Sequence, residues 1–307
     1  MEATKRQHYV WREYLRAWSH EESIWAYYKP DKKLIQTSLM NVAQGRYFYK
    51  VSSLTQIEKD WLVKLTYFNN PISQDLNSQI IYEFIKAGYL IDGLTISDPK
   101  EIKDRINLIE KNSFEIVMGI FENLGKDIIK IRTKEELVSL VDSDNILQSI
   151  IFVFVQFTRT KGAKDRMMES FSDEDNPVVL SLLDKAWFII SLTYSIISGI
   201  TLAANAGLRI TLLHNLTEIN FITGDQPIIN TEAKNSEEGN EVKELKLYYP
   251  ISPKHALFIE SDSLISEKCS FEEITEIDTV KTYNQAIIQS SDNFIFDNSN
   301  SLLTKIL

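Results

Sequence analysis

The chain has 307 residues, enough for one large domain or two ordinary ones, and is 44% hydrophobic and 25% charged, the composition of a globular protein. Its formal charge of −10 excludes a general nucleic-acid coat protein, which must neutralise phosphate over most of its surface. The single cysteine, Cys269, excludes an intramolecular disulfide and a multi-cysteine zinc site. No apolar leader opens the chain, so a cytoplasmic location is expected.

Charge is segregated along the sequence. Residues 1–50 carry nine Lys/Arg against five Asp/Glu, whereas 231–278 carry five against twelve. An anionic ligand is therefore expected to favour the N-terminal part.

Lys5 to Trp18 reads as a helix or helix-like arm. On a helix His8, Arg12 and Arg16 fall at i, i+4 and i+8 and form one polar stripe. Such a stripe could grip phosphate, with His8 available for proton transfer near neutral pH. Equally, it could be the solvated face of an arm whose Trp11, Tyr14, Leu15 and Trp18 pack inward. SIWAYYK (23–29) and KLIQTS (33–38) flank Pro30-Asp31 and predict a hairpin. RYFYKV (46–51) ends this aromatic-rich opening.

From about Leu54 to Asn205 the pattern turns helical, with apolar residues spaced near 3.6 over 102–124 and further helices expected at 73–91, 134–142, 144–158 and 176–205. Thr133 with Glu136 predicts a capping box, and Pro71 and Pro177 mark helix boundaries. Glu110 sits in an otherwise apolar helical face. Gln156 and Arg159 stand at i, i+3 near the end of an apolar helix, where a cation suits the helix C-terminus and also an anion site. Ala186 to Leu208 has no charged residue; it reads as a buried helix, with a membrane span as the alternative.

After Gly207 the period becomes two, with strands expected at 209–214, 219–223, 226–230, 245–249 and 255–260. Thr231 to Glu244 reads as an exposed acidic hairpin tip. FITGDQPIIN (221–230) presents Asp225 between a flexible Gly224 and a rigid Pro227, a turn that is also a common place for a general base or metal ligand. YPISP (249–253) suggests a rigid extended connection. A helix over 277–290 carries Asn284 among apolar residues, where a buried amide needs partners; the strand NFIFD and a short helix follow. The fold class expected is α+β: a mixed or antiparallel sheet built from N- and C-terminal segments, with a large helical bundle inserted. Its sub-regions are 1–53, 54–205 and 206–307 of one unit.

No HExxH, GxSxG, P-loop, CxxC or GxGxxG is present. The pieces in this order nevertheless resemble a bacterial domain-of-unknown-function family, number 4238. Its opening signature matches Gln7, His8, Tyr9, Val10, Tyr14, Leu15 and Arg16, and its later steps match Asn41 to Ala43, Phe48, Tyr49, Gln156, Arg159, Thr160, Phe221 to Thr223, Asp225, Pro227, Pro250, Ser252, Pro253 and Asn284. The chain departs from that pattern at Trp11, Gly162 and Gly224, where proline, proline and serine are usual.

The resemblance implies that His8, Gln156, Arg159, Asp225 and Asn284 converge on one polar pocket, since burying such groups unsatisfied costs ~1–3 kcal/mol each. The function expected is a phosphodiester hydrolase, a nuclease of bacterial toxin or phage-defence (antiviral) type. His8, Asp225 and Arg159 would be catalytic, and Gln7, Arg12, Arg16, Gln156 and Asn284 would bind substrate. Cofactor use is open, with Mg²⁺ at Asp225 and Glu110 as the candidate. Expected partners are nucleic acid or nucleotide, or another defence-system protein, without stable membrane insertion. The alternatives are a non-enzymatic module binding a nucleotide or a partner, and a buried polar network that only fixes packing.

Overall fold

A computed structural model describes residues 6–46, 48–49, 52–64, 71–95, 117–171, 177–204, 207–235, 245–261 and 267–303. The first part contains β1 (Arg6–His8), α1 (Arg12–Leu15), β2 (Ser19–His20), β3 (Ser23–Tyr28), β4 (Lys33–Ser38) and β5 (Gln44–Arg46). Helices follow: α2 (Gln56–Lys64), α3 (Pro71–Thr95), α4 (117–124), α5 (Lys134–Val141), α6 (Ile146–Thr158), α7 (Lys161–Glu169) and α8 (Pro177–Ala203). The last part contains β6 (Leu208–Asn215), β7 (Thr223–Gly224), β8 (Ile229–Asn230), β9 (Lys246–Ser252), β10 (His255–Ser261), β11 (Cys269–Ile274), α9 (Ile277–Ser290), β12 (Phe294–Asp297) and α10 (Asn300–Leu303). The fold is α+β, and residues 102–116, including Glu110, lie outside the described residues.

The expected single sheet is divided. Strands from both ends of the chain pair as β2-β3-β12-β7, with β4 beside β3, and β3 faces β12 from Trp25↔Asp297 to Tyr28↔Phe294. The C-terminal strands form a second sheet, β11-β6-β10-β9-β8, in which only β11 runs parallel to its neighbour. The short β1 and β5 pair with each other. Splitting follows from the pattern: β6, β9 and β10 alternate so that both sheet faces are apolar, and each face needs its own cover.

One face, with Ile210, Leu212, Leu247, Tyr249, Leu257 and Ile259, packs against the N-terminal arm, α5 and α6. The opposite face, with Leu213, Tyr248, Ala256 and Phe258, packs against Val280 and Ile287 of α9. A further core joins α2, α3, α6 and α8. There Gly199 lies so close to Ile151 that a Cβ would meet its backbone, so the two helices approach through a glycine.

The arm differs from the helix expected over 5–18. Residues 6–8 are a strand, Trp11 is extended (φ −60, ψ 126), and one helical turn passes into a 3-10 turn over Arg16–Trp18. Tertiary partners take the first residues out of any helix: β1 pairs with β5 and Tyr9 N–H donates to Ala43 O, while Tyr9, Val10, Trp11, Tyr14, Leu15 and Trp18 sit in the core and Arg12, Glu13 and Arg16 form the solvated side. Trp11 meets Phe152 edge-on, and Tyr14 stacks on Tyr249.

Elsewhere local signals hold. Thr133 and Glu136 form the capping box, Pro71 and Pro177 open α3 and α8, and β3 and β4 form the hairpin. The 219–223 and 226–230 runs shorten to two-residue strands. Pro250 lies inside β9, not in a connection, beside the register shift at His255/Ala256, where the ladder tolerates a missing N–H. Strand β11 and helix α7 had no signal strong enough to predict them. Residues 186–208 are not one helix, since α8 ends at Ala203 and Leu208 opens β6. Helix α8 is long and apolar enough to cross a membrane, but 67% of its most apolar window is buried in the fold.

Candidate functional site

The arm lines one wall of a cleft of about 620 Å³. Strand β1 supplies Arg6 and His8; the turn that follows supplies Trp11, Arg12, Glu13 and Arg16. Helix α4 and the residues after it form the other wall with Met118, Glu122, Asn123 and Lys126. Each wall carries both signs: Arg6, Arg12 and Arg16 with Glu13 on one, and Lys126 with Glu122 on the other.

His8 is half-buried. Its Nε2 lies 3.1 Å from the carbonyl oxygen of Leu39; a carbonyl can only accept, so Nε2 carries the proton and Nδ1 is the basic nitrogen. Burial lowers the imidazole pKa below 6.5, the Leu39 bond opposes this, and Arg12, Arg159 and Arg6 lower it further. His8 is therefore neutral at pH 7 and able to accept a proton.

Arg159 sits behind the cleft, 1% exposed. It donates to Glu122 Oε1 at 2.9 Å and to Gln156 Oε1 at 2.8 Å. Burial opposes its charge, while Tyr49 and Glu122 more than offset that, leaving its pKa above the ordinary arginine value. Glu122 joins the buried guanidinium to the cleft wall, and no sequence spacing linked it to Arg159.

The remaining polar residues hold backbone. Gln7 Oε1 accepts from Tyr49 N–H at 2.7 Å. Gln156 donates to Tyr9 O at 3.2 Å and accepts from Trp11 N–H at 3.3 Å. Asn284 accepts from Ile222 N–H at 3.0 Å and donates to Asn220 O at 2.8 Å. Asp225 accepts from the N–H groups of Asp292 and Asn293 at 2.9 and 2.8 Å. In each case a side chain satisfies backbone groups that have no strand or helix neighbour to do so.

Of the residues expected to converge, His8 lines the cleft, and Arg159 and Gln156 are bonded to one another behind it. The structure brings Arg12, Arg16, His8, Gln7, Gln156 and Arg159 to or directly behind one cleft. Asp225, which accepts from the turn before β12, and Asn284, on α9, are not among the residues that line it. Burial pushes Asp225 up to about 6, against the lowering bonds from Asn293 and Asp292. Among the described residues no three His, Cys, Asp or Glu side chains gather as a metal site.

Gly224 also has a different role from the one expected. A Cβ there would run into the hydroxyl of Ser291 and the carbonyl of Phe294, so close approach, rather than a special φ, demands glycine.

A profile of the family described as Protein of unknown function (DUF4238) matches residues 6–301. The chain belongs to this family. No curated protein and no solved structure matches it. In this DUF4238 member the opening Gln7-His8-Tyr9 divides its labour: Gln7 and Tyr9 anchor the arm, and His8 faces the cleft.

Proposed function

We propose that this protein is a phosphodiester hydrolase that binds its anionic substrate in the arm cleft, most simply a nuclease. The observation that supports it is a neutral imidazole standing among Arg6, Arg12, Arg16 and Lys126 on one opening. Nδ1 of His8 would take a proton from water as that oxygen bonds to phosphorus, while the P–O bond to the leaving group breaks and solvent protonates the alkoxide. The arginines would hold the charge that develops on the non-bridging oxygens. Arg159 would act behind them through Glu122, as a positioning residue.

The setting proposed is a toxin or phage-defence system, with nucleic acid, a nucleotide or another defence protein as partner. Incubation with labelled RNA and DNA, with and without Mg²⁺, tests the chemistry. His8→Ala should lower the rate by about 10²-fold or more while the fold stays intact. No cleavage by the wild type across single- and double-stranded substrates would overturn the hydrolase reading.

A second reading is a nucleotide- or partner-binding module. It is favoured by Arg16, which is already paired with Glu13 and Glu22, and by Asp225, whose two oxygens already accept from the backbone of Asp292 and Asn293. A nucleotide that raises Tm without being turned over would support it.

A further inference from the structure

Helix α9 covers only part of the outer face of the C-terminal sheet. Val280 and Ile287 share one core with Leu213, Tyr248 and Ala256, and Tyr283 stacks on Tyr248. Beyond Tyr283 the same face continues as Arg209, Thr211, Lys246, Phe258 and Glu260, and a groove of about 540 Å³ opens there, with Phe258 and Thr211 buried at its floor. It lies on the opposite face of the sheet from the arm, so it is independent of the cleft that contains His8.

Arg209 is the unexplained group in that groove. It is half-buried, and its Nε is shielded from solvent with no hydrogen-bond partner. Its cross-strand neighbour is Glu260, yet Glu260 pairs with Lys246 at 3.4 Å instead. Lys246 in turn lies 4.7 Å from the centre of the Phe258 ring. Burying part of a guanidinium without an acceptor is costly, and the carboxylate opposite it across the strands, Glu260, is taken by Lys246. Beside it, the hydroxyls of Thr211 and Ser270 lie 2.8 Å apart, and Phe258 meets Tyr283 edge-on at 5.6 Å.

We propose that this groove binds a small monocarboxylate with an aromatic or other apolar body. The carboxylate would take the two-pronged donor of Arg209, the one proton that Thr211 and Ser270 do not share would add a donor, and the body would rest on the Phe258 and Tyr283 rings. Charge sets the class. Among the described residues Glu232, Glu260 and Glu272 outnumber Arg209 and Lys246 along the groove, so a dianionic phosphate is opposed more strongly than a single carboxylate held directly by Arg209.

The test is titration of the intact protein at pH 7 with phenylacetate, acetate and inorganic phosphate, followed by calorimetry and by ligand-observed NMR. Phenylacetate should bind saturably, acetate more weakly, and phosphate should not displace phenylacetate. Arg209→Gln should weaken phenylacetate about tenfold or more, and His8→Ala should leave it unchanged. Where Arg209→Gln does not fold, Arg209→Lys, which keeps the charge but loses the fork, should still bind more weakly than wild type. Non-saturable phenylacetate, equal binding by the Arg209 variant that folds, or displacement by phosphate would each overturn the proposal.

Discussion

Trp11 and Arg159 share one acceptor: Oε1 of Gln156 takes the backbone N–H of the first at 3.3 Å and a guanidinium N–H of the second at 2.8 Å. The path of the arm and the place of the buried charge are thereby set by one amide, whose nitrogen also holds Tyr9 O. Gln156→Ala would orphan three buried groups at ~1–3 kcal/mol each. The expected loss of unfolding free energy is at least about 3 kcal/mol, read from urea midpoints at unchanged m-value.

Asp225 gives a pH signature. Its folded pKa, about 6, lies above the ordinary 3.8 because of burial, so the native state binds the extra proton between those values. Stability contributed by this group is therefore full below about pH 4 and is lost as pH rises through about 6, by up to ~3 kcal/mol. Asp225→Asn does not titrate, so the wild type's advantage over it should shrink from pH 4 to pH 7. A constant difference across that range would contradict the buried-acid account.

His8 should titrate below 6.5, with burial and then Arg12 among the causes. Removing that cation in Arg12→Ala should raise the midpoint, because the protonated imidazole loses a like-charged neighbour. NMR titration of the four histidines, assigned with His8→Gln, measures the shift without reference to any activity.

At Gly224 the prediction is steric. Gly224→Ala drives a methyl into Ser291, at a cost of about 1–3 kcal/mol, and Ser291→Gly in the same chain should recover part of it. Two variants that add independently would show that the contact is not shared.

Much of the architecture was legible because local signals agree with the tertiary outcome: the Thr133 capping box, the Pro30-Asp31 hairpin and the whole of α9 follow from neighbouring residues. The arm was not, because its rings are buried against residues far along the chain. Trp18 donates to Phe221 O, and Tyr14 to Pro250 O; no window of sequence contains either pair. At the candidate site, the residue types correctly signalled buried polar structure. They could not tell a side chain that faces a ligand, such as His8, from one that holds backbone, such as Asn284, since both are polar groups in apolar surroundings. Glu122 was invisible for the same reason as the arm: its meaning comes from Arg159.

The pairing of Trp25 with Asp297 has a bearing on how the chain is made. A ribosome delivers β3 and its hairpin mate β4 early, but the strand that completes the other edge comes only after the helices and the second sheet. β2 covers Ser23 and Ile24 on that edge, but for most of synthesis its Trp25–Tyr28 part is open to any passing strand. Closure of that sheet is thus a late event of high contact order, and a nascent chain stalled before β12 should be the form in greatest need of a chaperone.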